Sequence, residues 1–109
     1  MSGRYSIKII QEVTDLIHEE IHDAKRYAKL AIKVKGEFPA LAQVFYTLST
    51  QEENHQAALH AEVVKLIDQY RRVKGDPPAN MLAVYDYLHQ KAIEDLADVR
   101  RYQEIYKNT

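Results

Sequence analysis

Within the run Gln51-Glu52-Glu53-Asn54-His55 a carboxylate and an imidazole, Glu52 and His55, stand three residues apart. On a helix that spacing puts both on one face, with Cβ atoms about 5–6 Å apart. Two such side chains can hold one metal ion. Carboxylate oxygen and imidazole nitrogen suit iron, manganese or zinc. The chain has no cysteine, which excludes disulfides, zinc ribbons, iron–sulfur ligation and a thiol nucleophile. Any metal chemistry here rests on His and carboxylate ligands.

The elements that must position these residues are helices. Only three glycines and three prolines occur in 109 residues, and they punctuate the chain at Gly36 to Pro39 and at Gly75-Asp76-Pro77-Pro78, with Gly3 in a flexible start. Between them run segments rich in Ala, Leu, Glu, Lys and Gln, good helix formers. Helices are expected at about 6–35, 38–73 and 79–107. Gly36 suits a C-cap, Pro39 a first helical turn, and Asp76-Pro77-Pro78 a stop and restart. No segment keeps the period-2 alternation of a strand. The chain reads as one all-α domain over 1–109, an antiparallel helical hairpin plus a third helix.

Apolar residues recur at alternating gaps of three and four, the pattern of near-antiparallel or coiled-coil-like helix packing. The first seam runs Ile10, Val13, Ile17, Glu20, Ala24, Tyr27, Ala31, Val34. The second runs Phe38, Leu41, Phe45, Leu48, Glu52, His55, Leu59, Glu62, Leu66, Gln69, Val73. The third runs Met81, Tyr85, Leu88, Ala92, Asp95, Val99, Tyr102, Tyr106. Acids on a seam are costly unless paired, protonated or metal-bound. In a hairpin folded about Gly36, position n faces roughly 72 − n, and Glu20 and Glu52 each stand sixteen residues from that glycine. Two carboxylates and an imidazole are therefore expected in one inward-facing layer. Metal binding is one reading of that layer. The other is a buried polar cluster satisfied by charge-assisted hydrogen bonds.

Three ligands are too few for two metals, but a second copy related by a two-fold axis supplies three more. Two Glu plus two Glu-x-x-His pairs is the ligand set of di-iron carboxylate bundles. Glu20 with Tyr27 seven later, then Glu52-x-x-His55 in its Gln-Glu-Glu-Asn-His setting, resembles the first half of a ferritin-like or rubrerythrin-like protein over about residues 12–70. The short chain is most similar to the encapsulated-ferritin-like group, in which half-sites are completed by dimerising. That resemblance implies a di-iron cofactor, a ferritin-like bundle completed by oligomerisation, Fe(II) oxidation with O2 or peroxide, and tyrosine hydroxyls near the ligand acids (Tyr27, Tyr102). It also implies an encapsulating shell protein as partner, although no targeting tail is evident after Ile105-Tyr106-Lys107-Asn108-Thr109. The sequence departs from the full family pattern: it has three helical segments rather than four, and no second Glu-x-x-His.

Asp95 and Glu62 are secondary metal candidates. The run Glu94 to Tyr102 keeps step with Glu19 to Tyr27, matching Asp95 to Glu20, either as a decayed repeat or because amphipathic helices of like composition resemble one another. Folding the second hairpin about 76–77 brings Asp95 and Asp98 within about a turn of His55. Glu62 stands seven residues past His55, about 10 Å along the axis, so it pairs with a nearby cation or binds iron outside the same layer. His18 and His22, spaced i, i+4, are placed on the outer face, either solvated, at a subunit contact or forming a surface metal site, and His60 and His89 have no partner at clear ligand spacing.

A net charge of −1 gives no field for nucleic acid or an anionic membrane surface. Met1 to Ile10 lacks a signal-peptide run, and no stretch of about 18 apolar residues can span a bilayer, so a cytoplasmic location is expected. Apolar residues beyond the seams, among them Leu16, Val44, Val63 and Ile105, favour a homodimer or higher even-numbered oligomer. Three function classes stand: a ferroxidase or related oxidoreductase, a metal-stapled module without turnover, and a structural assembly protein whose polar layer fixes register.

Overall fold

The computed structural model describes residues 3–109, with side chains from Ile7 onward; Met1 and Ser2, part of the leader reading, lie outside the described residues. Three long helices account for nearly all of it: α1 (Gly3–Val34), α2 (Pro39–Lys74) and α3 (Ala79–Asn108). The all-α expectation holds, with no strand among the described residues. The α1–α2 turn closes through the Phe38 N–H, which donates to the Val34 carbonyl at 2.7 Å, and Pro39 follows as the first helical residue. Gly36 is not in the left-handed region; Gly75 is, at φ 80°. Gly75 ends α2 with its N–H on the Arg71 carbonyl, and its lack of a Cβ makes that φ inexpensive.

α1 and α2 are antiparallel in close to the expected register. Tyr27 stacks on Phe45, and Ser49 Oγ donates to the Ala24 carbonyl at 2.7 Å. α3 returns antiparallel to α2, with Tyr106 hydroxyl on Gln43 and Gln103 on Ser49. It lies mainly against α1 and touches α2 sparingly.

The buried face of α2 differs from its apolar seam. Its innermost residues are Ala42, Ser49, Gln56 and Val63, a strict seven-residue spacing. Phe38, Leu41, Glu62, Gln69 and Val73, expected on the seam, are exposed. The reason is steric. Ala24, Ala28 and Ala31 of α1 are fully buried, and Ala42 and Ser49 meet them, so the backbones approach closely along a small-residue edge. Packing the larger Leu41 ridge inward would hold the helices apart.

The core has two apolar parts. One gathers Ile10, Ile17, Ile21, Val63, Ala92 and Val99; the other gathers Ala31, Ala42 and Tyr106. Between them lies a buried polar layer built on Ser49 and Gln103. Gln103 Nε2 donates to Ser49 Oγ at 3.0 Å and to Glu53 Oε1 at 3.2 Å. Arg100 Nε donates to Glu53 Oε2 at 3.0 Å. The layer grips α2 at Glu53, leaving the adjacent Glu52 turned toward α1.

Candidate metal centre

Glu20 projects from the middle of α1, and Glu52 and His55 from one face of α2 at matching hairpin depth. His55 Nδ1 lies 3.5 Å from Glu20 Oε2 and 3.6 Å from Glu52 Oε1. One ligand atom from each residue falls within 4.8 Å of the others. The expected layer thus forms, but at the edge of the α1–α2 seam rather than its centre. The two carboxylates are half-buried, whereas the His55 side chain is 61% exposed. The one-residue rotation of α2 toward its small edge causes that offset.

Glu20 Oε2 is buried and has no hydrogen-bond donor. A carboxylate oxygen stripped of water and left without a donor is costly, and a cation between it, Glu52 and Nδ1 of His55 removes that cost. The alternative of a self-satisfied polar cluster does not account for this oxygen, because 3.5 Å exceeds ordinary hydrogen-bond length. The residues fit a metal of the iron, manganese or zinc type.

The secondary candidates stand apart from these three. Asp95 Oδ2 lies 3.7 Å from Lys91 Nζ, its own neighbour one turn earlier. Asp98 is contacted by Lys25 and Arg101. Glu62 is exposed and pairs with Lys65 at 3.0 Å, as the cation-pairing reading anticipated. Tyr27 stacks on Phe45, and the Tyr102 ring lies beneath Lys29 and Arg101. Among the described residues neither hydroxyl bonds to Glu20, Glu52 or His55. The sequence reading missed Ser49, Glu53, Arg100 and Gln103, which orient α2. The available signal was the seven-residue spacing of small or polar residues Ala42, Ser49 and Gln56.

A sequence model of the rubrerythrin family matches residues 14–109, which takes in Glu20, the Glu52-x-x-His55 pair and all of α3. The chain belongs to the rubrerythrin family. That places it in the ferritin-like di-iron superfamily, whose rubrerythrin members typically bind iron. No curated protein and no solved structure gives a match to the chain. Relative to the six-ligand set of di-iron carboxylate bundles, this rubrerythrin-family chain brings together one Glu and one Glu-x-x-His pair, half the set. No helix among the described residues is long and apolar enough to cross a membrane.

Proposed function

We propose that two copies of this chain pair face to face so that their Glu20, Glu52 and His55 complete one di-iron centre, at which Fe(II) is oxidised by O2 or peroxide. The observation that carries this reading is the half-site itself. Three donors converge with one buried oxygen unsatisfied, and the open side is the His55 side. A two-fold axis beside His55 turns three ligands into six. The α2 face that holds the pair also carries exposed Leu41 and Val44 at helical spacing, and Leu16 lies exposed one turn before Glu20 on α1. Apolar surface so placed favours association at the half-site.

Within this reading Glu20, Glu52 and His55 of each copy would hold the iron, the carboxylates supplying oxygen ligands and His55 a ring nitrogen. Iron bound there would supply the redox chemistry: two Fe(II) ions would give two electrons, enough with two protons to take O2 to hydrogen peroxide, or with two protons to take peroxide to two waters. The protein contributes position and charge. Four carboxylates at the shared site would favour Fe(III) over Fe(II), and the Arg100–Glu53–Gln103 layer keeps Glu52 turned toward Glu20.

The test is Fe(II) oxidation followed by absorbance and by oxygen consumption. Glu52→Ala and His55→Ala are each expected to slow oxidation at least about tenfold with helicity unchanged by circular dichroism. Wild-type rates in both variants would overturn the proposal. Metal-dependent thermal stability without oxygen consumption would instead indicate a metal-stapled dimer without turnover.

A further inference from the structure

The stripe that α2 buries is not its apolar seam, and the difference leaves one flank of the helix uncovered. Ala42, Ser49, Gln56 and Val63 form the buried stripe. Leu41, Leu48 and His55 each stand one residue before a member of that stripe. Glu52, Leu59 and Leu66 each stand three residues after one. At 3.6 residues per turn the two sets lie side by side, about 60–100° around the helix from the stripe. α3 packs on the opposite flank, where Tyr106 and Gln103 reach Gln43 and Glu53. On the free flank Leu41 is 44% exposed, and Leu48, Glu52, Leu59 and Leu66 are half-buried.

The six residues of that flank have a mirror in the sequence. About a point between Glu53 and Asn54, Leu41 mirrors Leu66, Leu48 mirrors Leu59, and Glu52 mirrors His55. In a two-fold interface, if residue i touches j of the partner, then j touches i of the partner. Two antiparallel α2 helices crossed by an axis at that point match leucine with leucine in two layers on each side. At the centre they match carboxylate with imidazole. Phe45 and Glu62, which also mirror one another, stand outside these layers: Phe45 stacks on Tyr27 of α1 and Glu62 pairs with Lys65.

We infer that two copies of this chain pair through this flank with their α2 helices antiparallel and the two-fold axis between Glu53 and Asn54. Leu41 then lies on the partner's Leu66, and Leu48 on the partner's Leu59. The inference rests on the shared-site reading for its second copy, and adds the direction and register of pairing. An axis parallel to the helices would instead set α2 against α1 of the other copy. Equal hairpin depth would then bring the partner's Asp23 beside Leu48, desolvating a carboxylate against a leucine. The leucine layers run over about 38 Å of helix and lie on both sides of the acid–imidazole layer, where they exclude water from it. With α1 and α2 each about 10 Å across, the face offers on the order of 750 Å². That is close to the roughly 800 Å² per partner of a stable pair.

The chain has no cysteine, so single introduced cysteines report the pairing directly. Leu48→Cys and Leu59→Cys are made as separate proteins and oxidised alone and mixed. Each reaction is run metal-free and again with Mn2+, which thiols hold weakly. A disulfide needs Cα atoms within about 7 Å. In the antiparallel register two copies of one variant hold their thiols about 16 Å apart along the helix, whereas unlike variants hold theirs together. On non-reducing gels the mixture should give at least about tenfold more covalent dimer than either variant alone, with helicity intact by circular dichroism. Leu41→Cys mixed with Leu66→Cys, in the outer layer, should repeat the result. Equal cross-linking alone and mixed, or none in the mixture with or without Mn2+, would overturn the register. Fe(II) oxidation by the wild-type chain separates this from the reading it rests on. Oxidation without the mixed cross-link removes the register and leaves the shared site, whereas the cross-link without oxidation keeps the register and removes the redox role.

Discussion

Among the described residues two buried side-chain oxygens lack hydrogen-bond partners, and they have different meanings. Glu20 Oε2 sits against a second carboxylate and an imidazole, where a cation satisfies all three groups together. Tyr85 hydroxyl, in the wall of a groove that His18, His60 and His89 also line, is the other. Its phenol is pushed above the usual range, by burial first and by Tyr70 second. A raised phenol favours the neutral form in the folded state. Its contribution is therefore whole below about pH 10 and is lost as pH rises through the folded value. Tyr85→Phe removes both the unpartnered group and this titration. The variant is expected to match or slightly exceed wild-type stability at neutral pH, and to lose less stability above about pH 10. Urea unfolding at several pH values measures this; parallel alkaline losses in the two proteins would contradict it.

At the scale of the elements, the α1–α2 interface is close but thin in apolar area. Ala24, Ala28, Ala31 and Ala42 are fully buried, yet each methyl contributes far less than the roughly 1.5–3 kcal/mol of a buried leucine-sized side chain. The polar layer of Ser49, Gln103, Glu53 and Arg100 supplies rotational register in its place. Small apolar faces slide past one another at little cost, whereas a hydroxyl held to the Ala24 carbonyl does not. Gln103→Ala removes two hydrogen bonds from this layer and is expected to cost about 1–3 kcal/mol in urea unfolding. Because Gln103 also steadies Glu53 beside Glu52, iron binding should weaken in the same variant. A stability within about 0.5 kcal/mol of wild type would remove the layer from any role in register.

The whole molecule is long and slender. Its principal extents are 55 × 22 × 15 Å, and its radius of gyration is 17.0 Å, against about 13 Å for a compact chain of this size. The long axis is the length of α2. Three helices laid side by side leave large apolar residues outside, with Leu41, Val44, Val84 and Ile93 all more than two-fifths exposed. A chain this short with this much apolar surface outside has little core of its own, and association is the direct remedy. Native mass spectrometry after anaerobic Fe(II) loading reads subunit number and iron count together. Two irons per dimer are expected. Two irons per monomer would mean that α3 supplies ligands, and a monomer without iron would end the shared-site reading.

Sequence alone determined the helical class, the three segments to within about three residues, and the meeting of Glu20, Glu52 and His55. These follow from local causes: helix-forming composition, Gly and Pro at the breaks, and equal distance from Gly36. Such features depend on neighbours in the chain or on the arithmetic of one hairpin. Tertiary structure alone decided which edge of α2 faces inward, because the choice between the Leu41 ridge and the Ala42–Ser49 edge depends on the alanines that α1 presents opposite. It also decided the partners of Asp95 and Asp98, whose lysine and arginine neighbours lie as near as the metal ligands do in any count of turns. The gathering of His18, His60 and His89 into one groove was out of reach of spacing as well. They stand on three different helices, and only the packing of α3 across α1 and α2 sets their separation.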